Sequence, residues 1–61
     1  MIATYTVYDS RGVKLASLGT LPAALQTLDQ FFSRWRVCSR RLDWIVRDVD
    51  NGNLIGIIVR R

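Results

Sequence analysis

The chain has no histidine, one cysteine and one proline among its 61 residues, and each shortage sets a bound. One thiol excludes an intramolecular disulfide, and without histidine a four-ligand zinc site lacks its usual donors. Acid–base chemistry near neutral pH then falls to carboxylates or to a strongly perturbed lysine or cysteine. No apolar stretch approaches the about 18 residues of a membrane span, and no charged leader precedes an apolar core at the N-terminus. A cytoplasmic protein without membrane contact is expected, and Cys38 agrees with a reducing compartment. Glycine-rich phosphate loops are absent, because Gly52 and Gly56 stand in and after a hairpin turn rather than between strand and helix.

What is present describes one packed domain spanning residues 1–61. Hydrophobic residues make up 49% of the chain, well above the disordered range. A domain this short buries only about 60% of its unfolded surface. With disulfide and zinc set aside, oligomerisation is the remaining source of added stability. The net charge is +4, and eight of the nine basic residues are arginine. Arginine makes planar bidentate contacts with phosphate and carboxylate, whereas lysine acts more as a solvated point charge; a GC-rich genome would enrich arginine equally.

Ile2 to Tyr8 is dense in β-branched and aromatic residues, which suit a half-buried strand. Asp9-Ser10-Arg11-Gly12 makes a turn, and Val13 to Leu18 returns as the second strand. Thr20 is placed to cap a helix with Pro22 in its first turn. Leu21, Ala24, Leu25, Leu28, Phe31, Phe32 and Trp35 form an apolar stripe at helical spacing, predicting about four turns. After a linker over Val37 to Arg41, Leu42 to Val49 and Leu54 to Arg60 read as a second hairpin closed by Asn51-Gly52. The expected fold is α+β: a four-stranded antiparallel sheet, ββαββ, with one amphipathic helix on one face.

A two-residue turn at Asn51-Gly52 pairs Val46 with Ile57 and Trp44 with Val59. Trp44, Val46, Ile55, Ile57 and Val59 then share the helix face, and Asp43 meets Arg60. A three-residue loop ending at Gly12 pairs Val7 with Leu15, so Ala3, Tyr5, Val7, Val13 and Leu15 face the helix. The reverse face carries Ile2, Thr4, Thr6, Tyr8, Lys14, Ala16 and Leu18. In this register Ile45, Val49, Leu54 and Ile58, with Ile2 and Leu18, form an outer apolar patch large enough to suggest a partner. A homodimer of stacked sheets or shared edge strands is its simplest form. The run from Ile55 to Val59 is an aggregation hazard at an open edge, and Arg60 and Arg61 read as charges guarding it.

For catalysis the residues offer little. Asp9, Asp48 and Asp50 sit at hairpin ends, where aspartate is ordinary turn chemistry. Cys38 has arginines nearby but no base partner, and reads as a small half-buried apolar residue. No metal site and no cofactor are expected. The distinctive segment is Ser33 to Arg41, with Arg34, Arg36, Arg40 and Arg41 gathered at the expected helix C-terminus around Trp35. Clustered arginine with an aromatic and hydroxyls has the character of a phosphate-contacting surface. The helix macrodipole offers a competing reason for cations there.

The segments V-Y-D-x-x-G-x-x-L-A from Val7, T-L-x-x-A-L from Thr20 and D-x-D-N-G-x-L-I-G from Asp48 together resemble short bacterial and phage ββαββ proteins of uncharacterised function. That resemblance implies the fold and carries over no functional residue. The first hairpin and helix are also similar to the strand–strand–helix arm of tyrosine recombinases, which binds DNA through its sheet; the second hairpin departs from it.

Two functions from different classes follow. One is a non-catalytic, homodimeric nucleic-acid-binding protein contacting phosphates with Arg34, Arg36, Arg40 and Arg41, helped by Arg11, Lys14 and Arg47. The other is a protein-binding module, such as a phage or mobile-element inhibitor, docking through Ile45, Val49, Leu54 and Ile58. An enzyme ranks third.

Overall fold

Side-chain alternation builds five strands here. The computed structural model describes residues 3–61, so Ile2 lies outside the described residues. The order is β1 (Tyr5–Asp9), β2 (Lys14–Leu18), α1 (Leu21–Phe31), β3 (Trp35–Ser39), β4 (Asp43–Asp48) and β5 (Leu54–Arg60). The strands form one sheet in the order β2-β1-β5-β4-β3, every neighbouring pair antiparallel. The fold is α+β with one helix among the described residues, as expected, but the sheet has five strands rather than four.

The extra strand is the segment expected as helix end and linker. Thr20 caps α1 by accepting from the Ala23 N–H at 3.3 Å, and the helix stops at Phe31 because Phe32 is extended at φ −131, ψ 143. Phe32 and Trp35 fall on the helical stripe, yet Trp35-Arg36-Val37-Cys38 also alternates apolar and polar with period two. Both periods fit at the junction. The strand wins because it turns Trp35 and Val37 against the core while Arg36 and Cys38 face away. The four arginines therefore do not decorate a helix C-terminus: they lie after it, in β3 and in the β3–β4 turn.

Both hairpins carry a bulge that resets their register. In the first, the Asp9 N–H donates to the Val13 carbonyl at 2.9 Å across the three-residue loop, with Gly12 at φ +84. Leu15 then has no partner in β1, since Val7 pairs with Ala16 and Tyr8 with Lys14. In the second, Asp48 opens the turn early, its carboxylate accepting from the Asp50 N–H at 2.7 Å and the Asn51 N–H at 3.3 Å. The loop is four residues, Val49 to Gly52, closed by the Asp48 N–H on the Asn53 carbonyl at 2.9 Å. Gly52 takes φ +72, which a side chain would resist. Ile55 is the unpaired residue there, because Val46 pairs with Gly56 and Arg47 with Leu54.

Each bulge turns one more aliphatic side chain toward the helix, and Leu15 and Ile55 both pack against the core. That core is Val7, Ala24, Leu28, Val46 and Ile58, all fully buried. Burying each Leu, Ile or Val contributes about 1.5–3 kcal/mol. The bulges also overturn the expected faces. Ile58, expected outside, is central to the core, opposite Trp44 and Val7. Leu18 pairs with Tyr5 and packs inward. Val49 is a turn residue, and Val13, expected under the helix, is exposed. Ile57 and Val59 move to the open face, and Asp43 pairs with Val59 instead of meeting Arg60.

Helix α1 connects β2 and β3, the two outer strands, so it must cross the sheet from one edge to the other. It covers one face only. Among the described residues, no helix is long and apolar enough to cross a membrane.

Candidate nucleic-acid interface

The face away from α1 follows from the pairings, because residues directly opposite in a sheet share a side. One row across all five strands is Lys14, Tyr8, Ile57, Ile45 and Cys38. A second, shorter row is Ser17, Thr6, Val59 and Asp43. Beyond the first, toward the Asp48–Asn53 turn, come Leu54, Arg47 and Arg36. The ladder between β1 and β5 extends one pair further: the Thr4 and Arg61 backbones exchange hydrogen bonds of 2.8 and 2.9 Å, which puts Arg61 on this face.

Charge on this face is one-sided. Lys14, Arg36, Arg47 and Arg61 are all exposed. Asp43 is its one carboxylate at a paired strand position among the described residues, and Arg40 occupies it with two hydrogen bonds of 2.7 Å. The Arg40 guanidinium holds the Asp43 carboxyl below its ordinary range, chiefly by hydrogen bonding, and Asp43 in turn raises Arg40. Arg36 stands directly opposite Arg47 across β3 and β4. Like charges in that position destabilise a sheet. The salt bridges among the described residues are Arg11–Asp9, Arg34–Asp50 and Arg40–Asp43, so neither member of the Arg36–Arg47 pair is neutralised. Arg47 Nη1 donates to the Gly52 carbonyl at 3.1 Å, which holds its side chain toward the hairpin end.

The seven basic residues singled out from the sequence therefore divide, Arg11 lying in the first hairpin loop with its guanidinium 3.6 Å from the Asp9 carboxylate. Arg36 and Arg47 come together, and Lys14 lies on the same face at the far edge. Arg34 is turned to Asp50 at 3.1 Å, Arg40 is taken by Asp43, and Arg41 is exposed in the turn between β3 and β4. Trp35 is committed elsewhere: its indole Nε1–H donates to Asp29 at 2.8 Å and its ring packs on the core.

The four residues expected to form an apolar patch do not assemble. Ile45 lies on the open face, mostly buried at 9% exposure, and Leu54 is there at 46%. Ile58 is in the core and Val49 in the turn. The apolar part of the face is instead Ile45, Ile57, Val59 and Leu54 with Tyr8. Cys38, expected half-buried, is exposed at the end of the long row.

Two contributors went unassigned in the sequence. Simple alternation puts Tyr8 on the outer face, but no local pattern marks it as more than a strand aromatic. Arg61 was legible only as a guarding charge, since its position depends on the β1–β5 pairing, which no local pattern encodes. No protein-family model, curated protein or solved structure matches this chain.

Proposed function

We propose that this protein is a small non-catalytic binding module that contacts nucleic-acid phosphates through the open face of its sheet. The observation that carries this reading is the cross-strand pair Arg36 and Arg47, which share no carboxylate within salt-bridge distance among the described residues. A sheet that holds two arginines opposite one another gives up stability, and an anion shared by both guanidiniums recovers it. Lys14 and Arg61 extend the positive surface to the other end of the face. Arg34 and Arg40, already paired with aspartates, contribute less than the arginine cluster in the sequence suggests.

The test is a salt series of binding. Neutralising four phosphates gives log K falling with log[salt] at a slope of about −3.6 on duplex and about −2.8 on single strands. Replacing Arg36 or Arg47 with glutamine reduces the slope by about one. Absent or salt-independent binding overturns the reading. The half-buried Ile57 and Val59 on the same face favour a second one, a protein surface, with a second copy of this chain as the simplest occupant. A stable dimer by light scattering, disrupted by Ile57→Lys and accompanied by no nucleic-acid binding, would decide for it.

A further inference from the structure

Resting on that reading, we infer that the open face is a platform for single-stranded nucleic acid, with Tyr8 as the ring on which a base stacks. Tyr8 lies in the long row, flanked by Lys14 on β2 and Ile57 on β5, with Ile45 and Cys38 beyond. Four strand spacings separate the ends of this row, about 19 Å, long enough for several nucleotides laid across the strands. Basic groups stand around it, with Lys14 at one edge and Arg36 and Arg47 toward the other.

Three observations favour a single strand over a duplex. A duplex offers a flat apolar surface only phosphates and sugars, whereas an unstacked strand offers base faces that bury well on aromatic and aliphatic side chains. This face has both kinds of group, Tyr8 with Ile57 and Leu54 for bases, and lysine and arginine for the backbone. Second, reading a duplex usually takes a helix or a two-stranded ribbon in the major groove. Helix α1 instead has Ala24 and Leu28 locked in the core, and Arg34 just beyond its end is occupied by Asp50. Third, the neutral hydroxyls Thr6 and Ser17 hydrogen-bond each other at 3.1 Å. They leave the β2–β1 end of the second row uncharged, and Arg40 holds the Asp43 carboxylate at its other end, so the unpaired cations on the strands border a path across the sheet instead of covering it evenly.

The experiment is fluorescence anisotropy with labelled dT12, U12 and a mixed-sequence 12-bp duplex, on the intact protein at matched salt. Either or both single strands are expected to bind at least about tenfold more tightly than the duplex. Tyr8→Ala weakens single-strand binding by about 5- to 100-fold and leaves duplex binding unchanged, while Tyr8→Phe keeps it. If Tyr8→Ala fails to fold, Tyr8→Leu keeps the apolar area without the ring and reads the same quantity. Saturating dT12 or U12 is also expected to slow alkylation of the native Cys38 thiol by iodoacetamide. Duplex binding as tight as single-strand binding, with Tyr8→Ala silent, overturns the platform and leaves the phosphate reading standing. Unprotected Cys38 under saturating single strand overturns the placement across the row. Absence of salt-dependent binding to all three probes overturns both readings.

Discussion

The ring of Phe32 closes over Gly56: a Cβ built on that glycine would stand 3.3 Å from Phe32 Cζ and 2.8 Å from the Tyr8 backbone oxygen. The first contact can relax by a ring tilt, but the second is to the neighbouring strand. Gly56→Ala is expected to destabilise by about 1–3 kcal/mol, read as a lower urea midpoint at unchanged m-value. Adding Phe32→Leu should recover only part of this, because the carbonyl contact remains. An unchanged midpoint would mean that the β1–β5 spacing yields there.

Ile58 and Leu54 belong to the same strand but to opposite environments, the first fully buried and the second 46% exposed. Ile58→Ala should cost about 2–5 kcal/mol. Leu54→Ala should stay within about 0.5 kcal/mol, as surface changes do. Equal costs from chemical denaturation would return both residues to one face and restore the two-residue turn.

Much of this arrangement was legible from local chemistry. Thr20 as the helix cap, Pro22 in the first turn, Gly12 and Gly52 as turn glycines and Val7, Ala24, Leu28 and Val46 as inward positions all follow from patterns a few residues long. The failures share one cause. Where β2 and β5 insert Leu15 and Ile55, one added residue reverses every later assignment, and the gain in helix-face burial that selects the bulge is a tertiary quantity. The end of the helix failed for a related reason, since Trp35 satisfies a helical stripe and a strand alternation at once. Within the candidate site, Arg36 and Arg47 are legible one by one, but their opposition depends on β3 being a strand.

Removing one member of that pair should separate stability from binding. Arg36→Thr replaces a repelled guanidinium with a good strand former and is expected to stabilise the fold by about 0.2–1 kcal/mol. The same variant should bind nucleic acid more weakly. Thermal melts and anisotropy on one preparation check both signs, and a variant that loses stability would mean that Arg36 packs favourably along β3.

Acid should weaken the fold through two aspartates. The Val13 N–H and then the Arg11 backbone N–H hold Asp9 below its ordinary 3.8, and hydrogen bonding from Arg40 lowers Asp43 likewise. A carboxyl with a depressed folded pKa contributes stability that is complete above its unfolded value and is lost as pH falls through the folded one. The melting temperature should therefore hold from pH 7 to about 5 and decline below about 4. Asp43→Asn should flatten part of that decline; an identical profile would leave Asp9 or other groups responsible.

The strand that joins the two halves of the sheet follows both of them along the chain. β5 lies between β1 and β4, so without it the β1–β2 hairpin and the β3–β4 pair would share no backbone ladder. With residues Leu54–Arg60 out of place, Val7 and Val46 have no Ile58 between them, and both inner edges offer unpaired amides. A strand from a second chain entering there would meet the same unpaired amides. Refolding from denaturant at low protein concentration should therefore raise the yield of monomer relative to any strand-exchanged species.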